Sequence, residues 1–564
     1  MKPNHIKRMI AGLLLTGTLN FVYLILIPLD SSRGHLINYE VLRIILIGFF
    51  TICLLSLAVM LLIFKINNMQ GQAIADKLHS FLIKKDNRLV NLQFILVIAF
   101  IFLIEAYLLS FIAIPVPARP VILWMAVACL FFWIMLRLVY RDILNKRPSL
   151  VKRLKSGWKS WSKTQHKIFV ILVVLGLIYF TAFIPANYGG RVHPDEDVIY
   201  PDVVNMLIPG STFSETLSDS YIISSWWYGY PYFPMSALTL VIPRIIFGNE
   251  FASQIKLNLL LMRQFISVLP MVASILMLIY LVNEFKNLWA SIGIFMVLCF
   301  IPGVIHYNIR FWHPDSIIVL LILLTFWLLK RDRLRFGRDF YLAAFTVGLN
   351  AVIKVWGLFF FLAIGGYLLA GWLTKKLDFW KMARSGLFFV LVMVGSILIT
   401  SPSIIIPWNL KTYISELQEY YPVMRQGYNE PDPQGVYRLG LPAWMVFFRM
   451  HFMQDFFFYF SVFALIAGSL FGTQKTLNRL LLAWCSVVGI FLVGWIAVKS
   501  FQYLLPLMIP LYGGVFLFPN IAGGEHYPPP FEFLSNPKAK RLLRGIMIVL
   551  TAIQFYYNLK VFPG

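Results

Sequence analysis

Long, uniformly apolar stretches separated by short polar links dominate the chain. Four of them, at 10–27, 41–64, 92–114 and 121–139, come before residue 167. Each is apolar on all sides rather than on one, and roughly 20 apolar residues suffice for a helix to cross the hydrocarbon of a bilayer. Counted along the whole chain, the pattern predicts an all-α, polytopic integral membrane protein with about 15 transmembrane helices.

The remaining predicted spans follow after residue 167, with two long polar segments between them. They lie at 168–184, 259–282, 288–309, 317–329, two spans broken near 350–356, and 387–406, 456–471, 480–497, 503–518 and 545–556. Residues 186–258 form a first polar segment rich in Trp, Tyr and Pro, and 407–444 form a second. Within the first, 237–247 is too short to span and predicts a helix lying in the membrane interface.

The same pattern suggests three regions of the chain. Residues 1–166 form an N-terminal module of four spans, and residues 167–400 form a membrane core. Residues 401–564 contain the second polar segment and the last spans.

Composition and charge agree with a membrane protein. Hydrophobic residues make up 59% of the chain and charged residues 13%, and the mean hydropathy is +0.75. The net charge of +24 does not indicate nucleic acid, because the Lys and Arg residues lie in short links between apolar stretches. By the positive-inside rule the basic links 65–88 and 141–167 are cytoplasmic, so the span from 168 runs outward.

Common cofactor-binding motifs are absent from the sequence. Walker, GxGxxG and HExxH patterns are absent from the sequence, so no motif predicts a nucleotide, dinucleotide or protease zinc site. The four cysteines lie inside apolar stretches without metal-binding spacing.

An acidic cluster, Arg191-Val-His193-Pro194-Asp195-Glu196-Asp197, follows the outward span directly. Pro194 and the acids suit the first turn of a helix, where the exposed amides attract negative charge. Carboxylates at a membrane surface also offer a general base or a metal ligand. Both interpretations stay open at this point.

Further candidate residues lie at the outer ends of later spans. A second external turn repeats the His-Pro-Asp sequence, and a lysine lies at a helix break farther along. Helix capping for the acids and histidines, and snorkelling of the lysines to the interface, are the alternatives to substrate binding. The substrate-binding candidates at these positions are His193, Arg310, His313, Asp315 and Lys354.

In order and topology, these pieces resemble the core of the GT-C superfamily, the polytopic glycosyltransferases that include protein O-mannosyltransferases and the lipid A aminoarabinose transferase. The residues that carry the resemblance are the acidic pair Asp195-Glu196, Phe247-Gly248 before the span with Arg263, Asp315, Lys354 with Gly357, and Lys499 to Pro506. Through this late segment the resemblance implies two further substrate-binding candidates, Lys499 and Tyr503. The segment departs from the family pattern, because it has no arginine in the usual place.

The resemblance implies transfer of a sugar from a polyprenyl phosphate to a lipid, glycan or protein acceptor, with inversion, at the extracytoplasmic face of a prokaryotic plasma membrane. Asp195 would be the base, with Glu196 supporting it or binding the acceptor. No cofactor is established by the sequence, and a divalent cation held by Asp195, Glu196 and Asp315 is an open alternative. A non-catalytic lipid or glycolipid transporter, and an oligosaccharide ligase or polymerase, remain as alternatives.

Overall fold

The computed structural model describes residues 118–144, 160–189, 193–210, 228–310, 312–405, 407–427, 438–523, 527 and 531–561, with isolated positions between 95 and 107 and between 211 and 223. Within these ranges every regular element is a helix, which confirms the predicted all-α class for this part of the chain. The predicted spans at 10–27 and 41–64 lie outside the described residues.

The α-helices of the described residues are numbered here in chain order. They are α1 (Ala118–Leu144), α2 (Lys163–Ala182), α3 (Ile184–Gly189), α4 (Pro194–Asn205), α5 (Tyr232–Thr239), α6 (Val241–Phe247), α7 (Ile255–Met262), α8 (Leu269–Asn283), α9 (Leu288–Cys299), α10 (Pro302–Arg310), α11 (Asp315–Asp332), α12 (Arg338–Ile353), α13 (Phe361–Leu373), α14 (Phe379–Thr400), α15 (Pro407–Gln426), α16 (Leu441–His451), α17 (Asp455–Phe471), α18 (Lys475–Trp495), α19 (Phe501–Leu517) and α20 (Pro537–Lys560).

Contacts divide the chain into two compact units. One consists of Met1–Arg147 with Pro402–Ile406, and the other of Pro148–Ser401 with Pro407–Gly564. In the first unit, α1 packs against the short 3₁₀ turn Pro402–Ile405. Every candidate site residue belongs to the second unit. The predicted boundaries at 166 and 400 stay predictions.

Helices long and apolar enough to cross a membrane recur through the described residues. Seven pass this test, or up to nine if the bent pairs α9–α10 and α16–α17 each form one span. The protein is therefore a multi-pass membrane protein, but the predicted total of about 15 spans is not confirmed. Helices α11 and α12 pack against each other in the interior, and most of their side chains are buried.

The predicted interfacial helix at 237–247 is in fact two short helices, α5 and α6, which meet at Leu240. Ile242 and Ile245 are 67% and 76% exposed, whereas Pro243 is buried. Arg244 is held to the protein through its Nε, which donates to the Leu207 carbonyl at 3.1 Å. One face of this segment is therefore open and apolar, as expected for a helix at a lipid surface.

Three helices are interrupted on their way to the site. The span α7–α8 contains a π-helical segment at Arg263–Val268, and α9 and α10 meet at an angle of 61° just before Pro302. Helix α12 ends at Ile353, Lys354 is extended, and a 3₁₀ turn follows at Val355–Phe360. Interruptions of this kind leave some backbone groups without their helical hydrogen bonds. At membrane depth they are tolerated where the surrounding protein buries those groups.

Gly357 makes the turn after Lys354 possible. A Cβ at this position would lie 2.2 Å from the Val347 carbonyl oxygen and 2.3 Å from the Ala351 amide nitrogen. Only glycine lets the 3₁₀ turn fold back this closely on α12. The lysine and the glycine of this motif therefore act together, because the glycine fixes the bend that sets the position of Lys354.

Among the described residues, the basic side chains of the links that contain Lys330 and Lys376 lie at the end of α11 opposite Asp315. Asp315 and Asp332 bound α11, which at 1.5 Å per residue separates them by about 26 Å. At the Asp332 end, Lys330 Nζ donates to the Leu281 carbonyl at 3.0 Å, and Arg331 forms two hydrogen bonds with Asp339 at 2.7 and 2.8 Å. The separation is close to the thickness of the hydrocarbon layer.

The separation of the acidic site from the basic links predicts that the two ends of α11 face opposite sides of the membrane. Single cysteines would replace the exposed residues Asp197 and Lys286 in a variant whose Cys53, Cys129, Cys299 and Cys485 are alanine. In sealed vesicles, an impermeant maleimide added outside should label one position, and the other should label only after permeabilisation. Labelling of both from the same side would contradict the topology.

Candidate active site

The first turn of α4 presents two neighbouring carboxylates in different surroundings. His193 is the N-cap: its Nδ1 accepts from the Asp195 amide at 3.2 Å, and its amide donates to Glu196 Oε2 at 3.0 Å. Pro194 follows it, where a missing amide hydrogen costs nothing. Successive helical residues point about 100° apart. As a result the Asp195 side chain is 36% exposed, whereas Glu196 is fully buried.

Glu196 is saturated with hydrogen bonds. Arg263 donates to both of its oxygens, from Nε at 2.9 Å and from Nη2 at 2.5 Å. The amides of Trp312 and His193 supply two more donors. A buried carboxylate with four donors has no access to a substrate. The predicted direct catalytic and metal-binding roles of Glu196 therefore do not fit the structure.

Arg263 connects Glu196 to two other segments. It begins the π-helical segment, is fully buried, and donates from Nη1 to the Asn187 carbonyl of α3 at 3.1 Å. Asn187 in turn donates to the Asn308 carbonyl of α10 at 3.1 Å. Local π geometry is frequent at functional sites. Here the π-helical segment begins with Arg263, which connects α3 and α4 to the rest of the bundle.

The turn that carries His313 is held on several sides. The His313 carbonyl accepts from the Tyr307 hydroxyl at 2.6 Å, and the His313 amide donates to Ser267 Oγ at 3.2 Å. Trp312 donates from its indole to Ser236 Oγ at 2.9 Å, and its carbonyl accepts from the Tyr232 hydroxyl at 2.7 Å. The backbone at His313, whose side chain is buried, is thus held by hydrogen bonds from two other parts of the chain.

Tyr228 joins the two His-Pro-Asp turns. Its hydroxyl lies 2.9 Å from His313 Nδ1 and 3.5 Å from Asp195 Oδ2. His313 Nε2 lies 3.6 Å from the same Asp195 oxygen. Tyr228 is not among the candidates predicted from the sequence. The available signal was Gly229 within an aromatic run: its amide donates to the Ile353 carbonyl at 3.0 Å, and a Cβ there would overlap the Val352 carbonyl.

Lys354 and Asp315 form an ion pair beside this group. Lys354 Nζ donates to Asp315 Oδ1 at 2.9 Å, and the Asp315 side chain is fully buried. The ammonium also lies over two aromatic rings, 5.7 Å from the centroid of Tyr228 and 5.1 Å from that of Tyr503. The Tyr503 hydroxyl is 3.2 Å from that of Tyr420. The structure therefore brings together three of the substrate-binding candidates, Lys354, Asp315 and Tyr503, which are far apart in the sequence.

Burial sets the protonation states of the two central groups. Burial, and then the positive charge of Lys354 and the nearby His193, hold the pKa of His313 well below its usual value. Burial, followed by the carboxylates Asp195 and Asp315, raises the pKa of the Tyr228 hydroxyl well above its usual value. Near neutral pH the imidazole of His313 is uncharged and Tyr228 keeps its proton.

The described contacts of Lys499, another predicted substrate-binding residue, are with a different part of the chain. Lys499 Nζ donates to the Arg438 and Ala497 carbonyls at 2.7 and 2.8 Å and lies over the Trp444 ring. These contacts indicate a structural role. Arg310 ends α10, and its side chain lies outside the described part of the chain.

The residues that could share a cation differ from the set predicted from the sequence. Among the described residues, the one group of His, Cys, Asp and Glu side chains close enough to share an ion is His193, Asp195 and His313. Glu196 is paired with Arg263 and Asp315 with Lys354, so only Asp195 of the predicted set belongs to it.

Much of this arrangement lies in a segment that matches known enzymes. Residues 230–425 match the family model of glycosyltransferase family 87. The match implies glycosyltransferase activity and includes Arg263, His313, Asp315 and Lys354. It supports the resemblance to membrane glycosyltransferases, while the O-mannosyltransferase and aminoarabinose transferase subfamilies stay predictions. No curated protein matches the chain.

The buried pair predicts a large loss of stability when one partner is changed. Glu196→Gln should destabilise the protein by about 3–5 kcal/mol, because it leaves the Arg263 charge buried and unpaired. Lys381→Gln removes a partner from the exposed pair with Asp378 and should change stability little. Unfolding midpoints in detergent would measure both, and equal shifts would contradict the assignment.

Proposed function

We propose that the protein transfers a sugar from a polyprenyl-phosphate carrier to an acceptor hydroxyl at the extracytoplasmic membrane face, with inversion at the anomeric carbon. The main support is a carboxylate and an ammonium on either side of Tyr228. Its hydroxyl lies 3.5 Å from Asp195 Oδ2, and its ring centroid lies 5.7 Å from Lys354 Nζ. The first group can accept a proton, and the second can bind a phosphate.

Asp195 is the proposed base. It takes the proton of the acceptor hydroxyl while that oxygen attacks the anomeric carbon from the side opposite the phosphate. The bond between the anomeric carbon and the phosphate oxygen breaks, and its electron pair stays on the polyprenyl phosphate. Asp195 suits this role because it is partly exposed, whereas Glu196 is buried and saturated with donors. Glu196 is therefore proposed as a positioning residue for the first turn of α4.

Lys354 is the proposed partner of the leaving phosphate. Asp315 and the rings of Tyr228 and Tyr503 hold the ammonium before substrate arrives. A preorganised charge in a dry site stabilises developing negative charge without further reorganisation. The hydroxyls of Tyr503 and Tyr420 can donate to phosphate oxygens at the same place.

The proposed extracytoplasmic position rests on charge. Basic links lie at the other end of α11, and an excess of Lys and Arg marks the cytoplasmic side. A donor carried by a membrane lipid also agrees with a sequence that has no nucleotide-binding motif. The acceptor class stays as predicted, a lipid, a glycan or a protein, and a prokaryotic plasma membrane is the proposed location.

The transporter alternative would require polar groups along a path across the bilayer. Buried polar side chains midway along α11 and α12 instead bond within the bundle, as Thr325 does to Thr346 at 2.8 Å. The described interior therefore favours an enzyme.

Asp195→Asn should reduce sugar transfer by roughly 10² to 10⁴, the usual contribution of a general base. The amide keeps the size of the side chain, so membrane insertion and the unfolding midpoint should be unchanged. Asp197→Asn is the matched control, since Asp197 is a second aspartate in the same turn and is exposed. Activity of Asp195→Asn within a few-fold of wild type would leave Asp195 as a capping residue only.

The purified protein should transfer sugar from a polyprenyl phosphate but not from the matching nucleotide sugar. The double variant Lys354→Met/Asp315→Asn removes both charges of the ion pair. It therefore lacks the proposed phosphate partner but has no buried unpaired charge at this pair. Loss of one charge-assisted contact should weaken donor use by about 10- to 100-fold.

Acceptor use should change less in that double variant. Lys499→Met serves as its control, because Lys499 contacts backbone carbonyls away from Tyr228. Transfer from the nucleotide sugar without a lipid carrier would contradict the donor assignment. Lipid movement across the membrane without sugar transfer would favour a transporter.

A further inference from the structure

We propose that His193, Asp195 and His313 bind a divalent metal ion of the zinc type in the proposed active site. The group draws on the N-cap of α4 and on the turn before α11. One potential ligand atom from each residue lies within 4.8 Å of the others. This inference rests on the proposed function, because it adds an ion to the same site.

The spacing of the three side chains fits an ion better than it fits direct hydrogen bonds. Asp195 Oδ2 lies 3.6 Å from His313 Nε2 and 3.9 Å from His193 Nδ1. Two ligand atoms that are each about 2.1 Å from a tetrahedral ion lie about 3.4 Å apart. The three ligand atoms lie within 4.8 Å of one another, so His193 and Asp195, which are both partly exposed, would have to move toward the buried His313 to reach that spacing.

The ligand types select the metal. Two imidazoles and one carboxylate suit zinc and its neighbours in the first transition row, whereas magnesium and calcium prefer oxygen ligands. The cation set expected from the sequence, with three carboxylates, would instead have favoured a hard ion.

The surroundings of His313 resemble the outer shell of a metal site. Metal-bound histidines generally use their second nitrogen in a hydrogen bond that fixes the ring. Here Nδ1 lies 2.9 Å from the Tyr228 hydroxyl and 4.0 Å from Asp315 Oδ2. When Nδ1 donates to Tyr228, the Nε2 lone pair points toward Asp195 Oδ2, and a cation between them relieves the repulsion.

Three protein ligands leave a coordination position open, as in catalytic rather than structural zinc sites. The exposed edges of His193 and Asp195, 32% and 36% exposed, put that position on the accessible side. An acceptor hydroxyl bound there would have a lowered pKa. It would then give its proton more readily to the Asp195 oxygen that does not hold the ion.

The electrostatic balance favours a cation as well. Glu196 and Arg263 neutralise each other, and Asp315 neutralises Lys354. Asp195 then supplies the remaining negative charge facing the two imidazoles. Binding at His193 Nδ1 would replace the 3.2 Å cap hydrogen bond from the Asp195 amide, a modest cost for a metal–ligand bond.

The test is Co²⁺ binding to the purified full chain after treatment with a chelator and without substrates. Co²⁺ should give a saturable visible absorption band, which Zn²⁺ removes and excess Mg²⁺ does not. His193→Asn keeps a side chain suited to the N-cap but removes the imidazole. His193→Asn and Asp195→Asn should each weaken Co²⁺ binding by more than the roughly 10- to 100-fold typical of losing an outer-shell partner.

His451→Asn is the matched control, because His451 is a partly buried histidine packed against Phe501. It should leave Co²⁺ binding unchanged. Absence of a saturable band, or equal binding by wild type, His193→Asn and Asp195→Asn, would overturn the metal site. Sugar transfer by a metal-free enzyme would overturn it too and leave the proposed function intact. Saturable Co²⁺ binding without transfer from any carrier-linked sugar would instead count against the proposed function alone.

Discussion

The buried ion pair between Glu196 and Arg263 is the contact on which the rest of the site depends. Removing two charges from water is costly, and the attraction between them repays that cost only with good geometry and further hydrogen bonds. Here the carboxylate receives four donors, and Arg263 also reaches the Asn187 carbonyl. One pair thereby fixes α3, α4, the π-helical segment and the turn at Trp312 relative to one another.

This pair also separates the roles of two adjacent acids. Glu196 is fully buried and its carboxylate is hydrogen-bonded within the protein. Asp195 is therefore the partly exposed acid of the two, with 36% of its side chain exposed. Neighbouring carboxylates commonly differ in function because their surroundings differ. The same anchoring aligns Asp195 with His313, since the Glu196 carboxylate binds the amide of Trp312, the residue just before that histidine.

Close backbone contacts complete the arrangement on the other side. Gly229 lets the loop that carries Tyr228 touch the end of α12, and Gly357 lets the next turn fold back on the same helix. Lys354 lies between these two contacts and is therefore directed at Asp315, Tyr228 and Tyr503. In a membrane, such irregular backbone is stable because the bundle supplies the hydrogen bonds that lipid cannot.

The sequence by itself determined the helical class, many of the spans, the separation of basic links from the acidic end, and the candidates Asp195, Asp315 and Lys354. The class and the spans follow from local composition, because hydrocarbon admits only apolar helices and charge sorts to the ends. The three candidates were also indicated by the resemblance to the GT-C superfamily. Only the tertiary structure decided which acid is buried, which cation pairs with which acid, and that Tyr228 joins Asp195 to His313. Those outcomes depend on contacts between residues 33 to 85 positions apart, and local pattern does not encode the partners of such contacts.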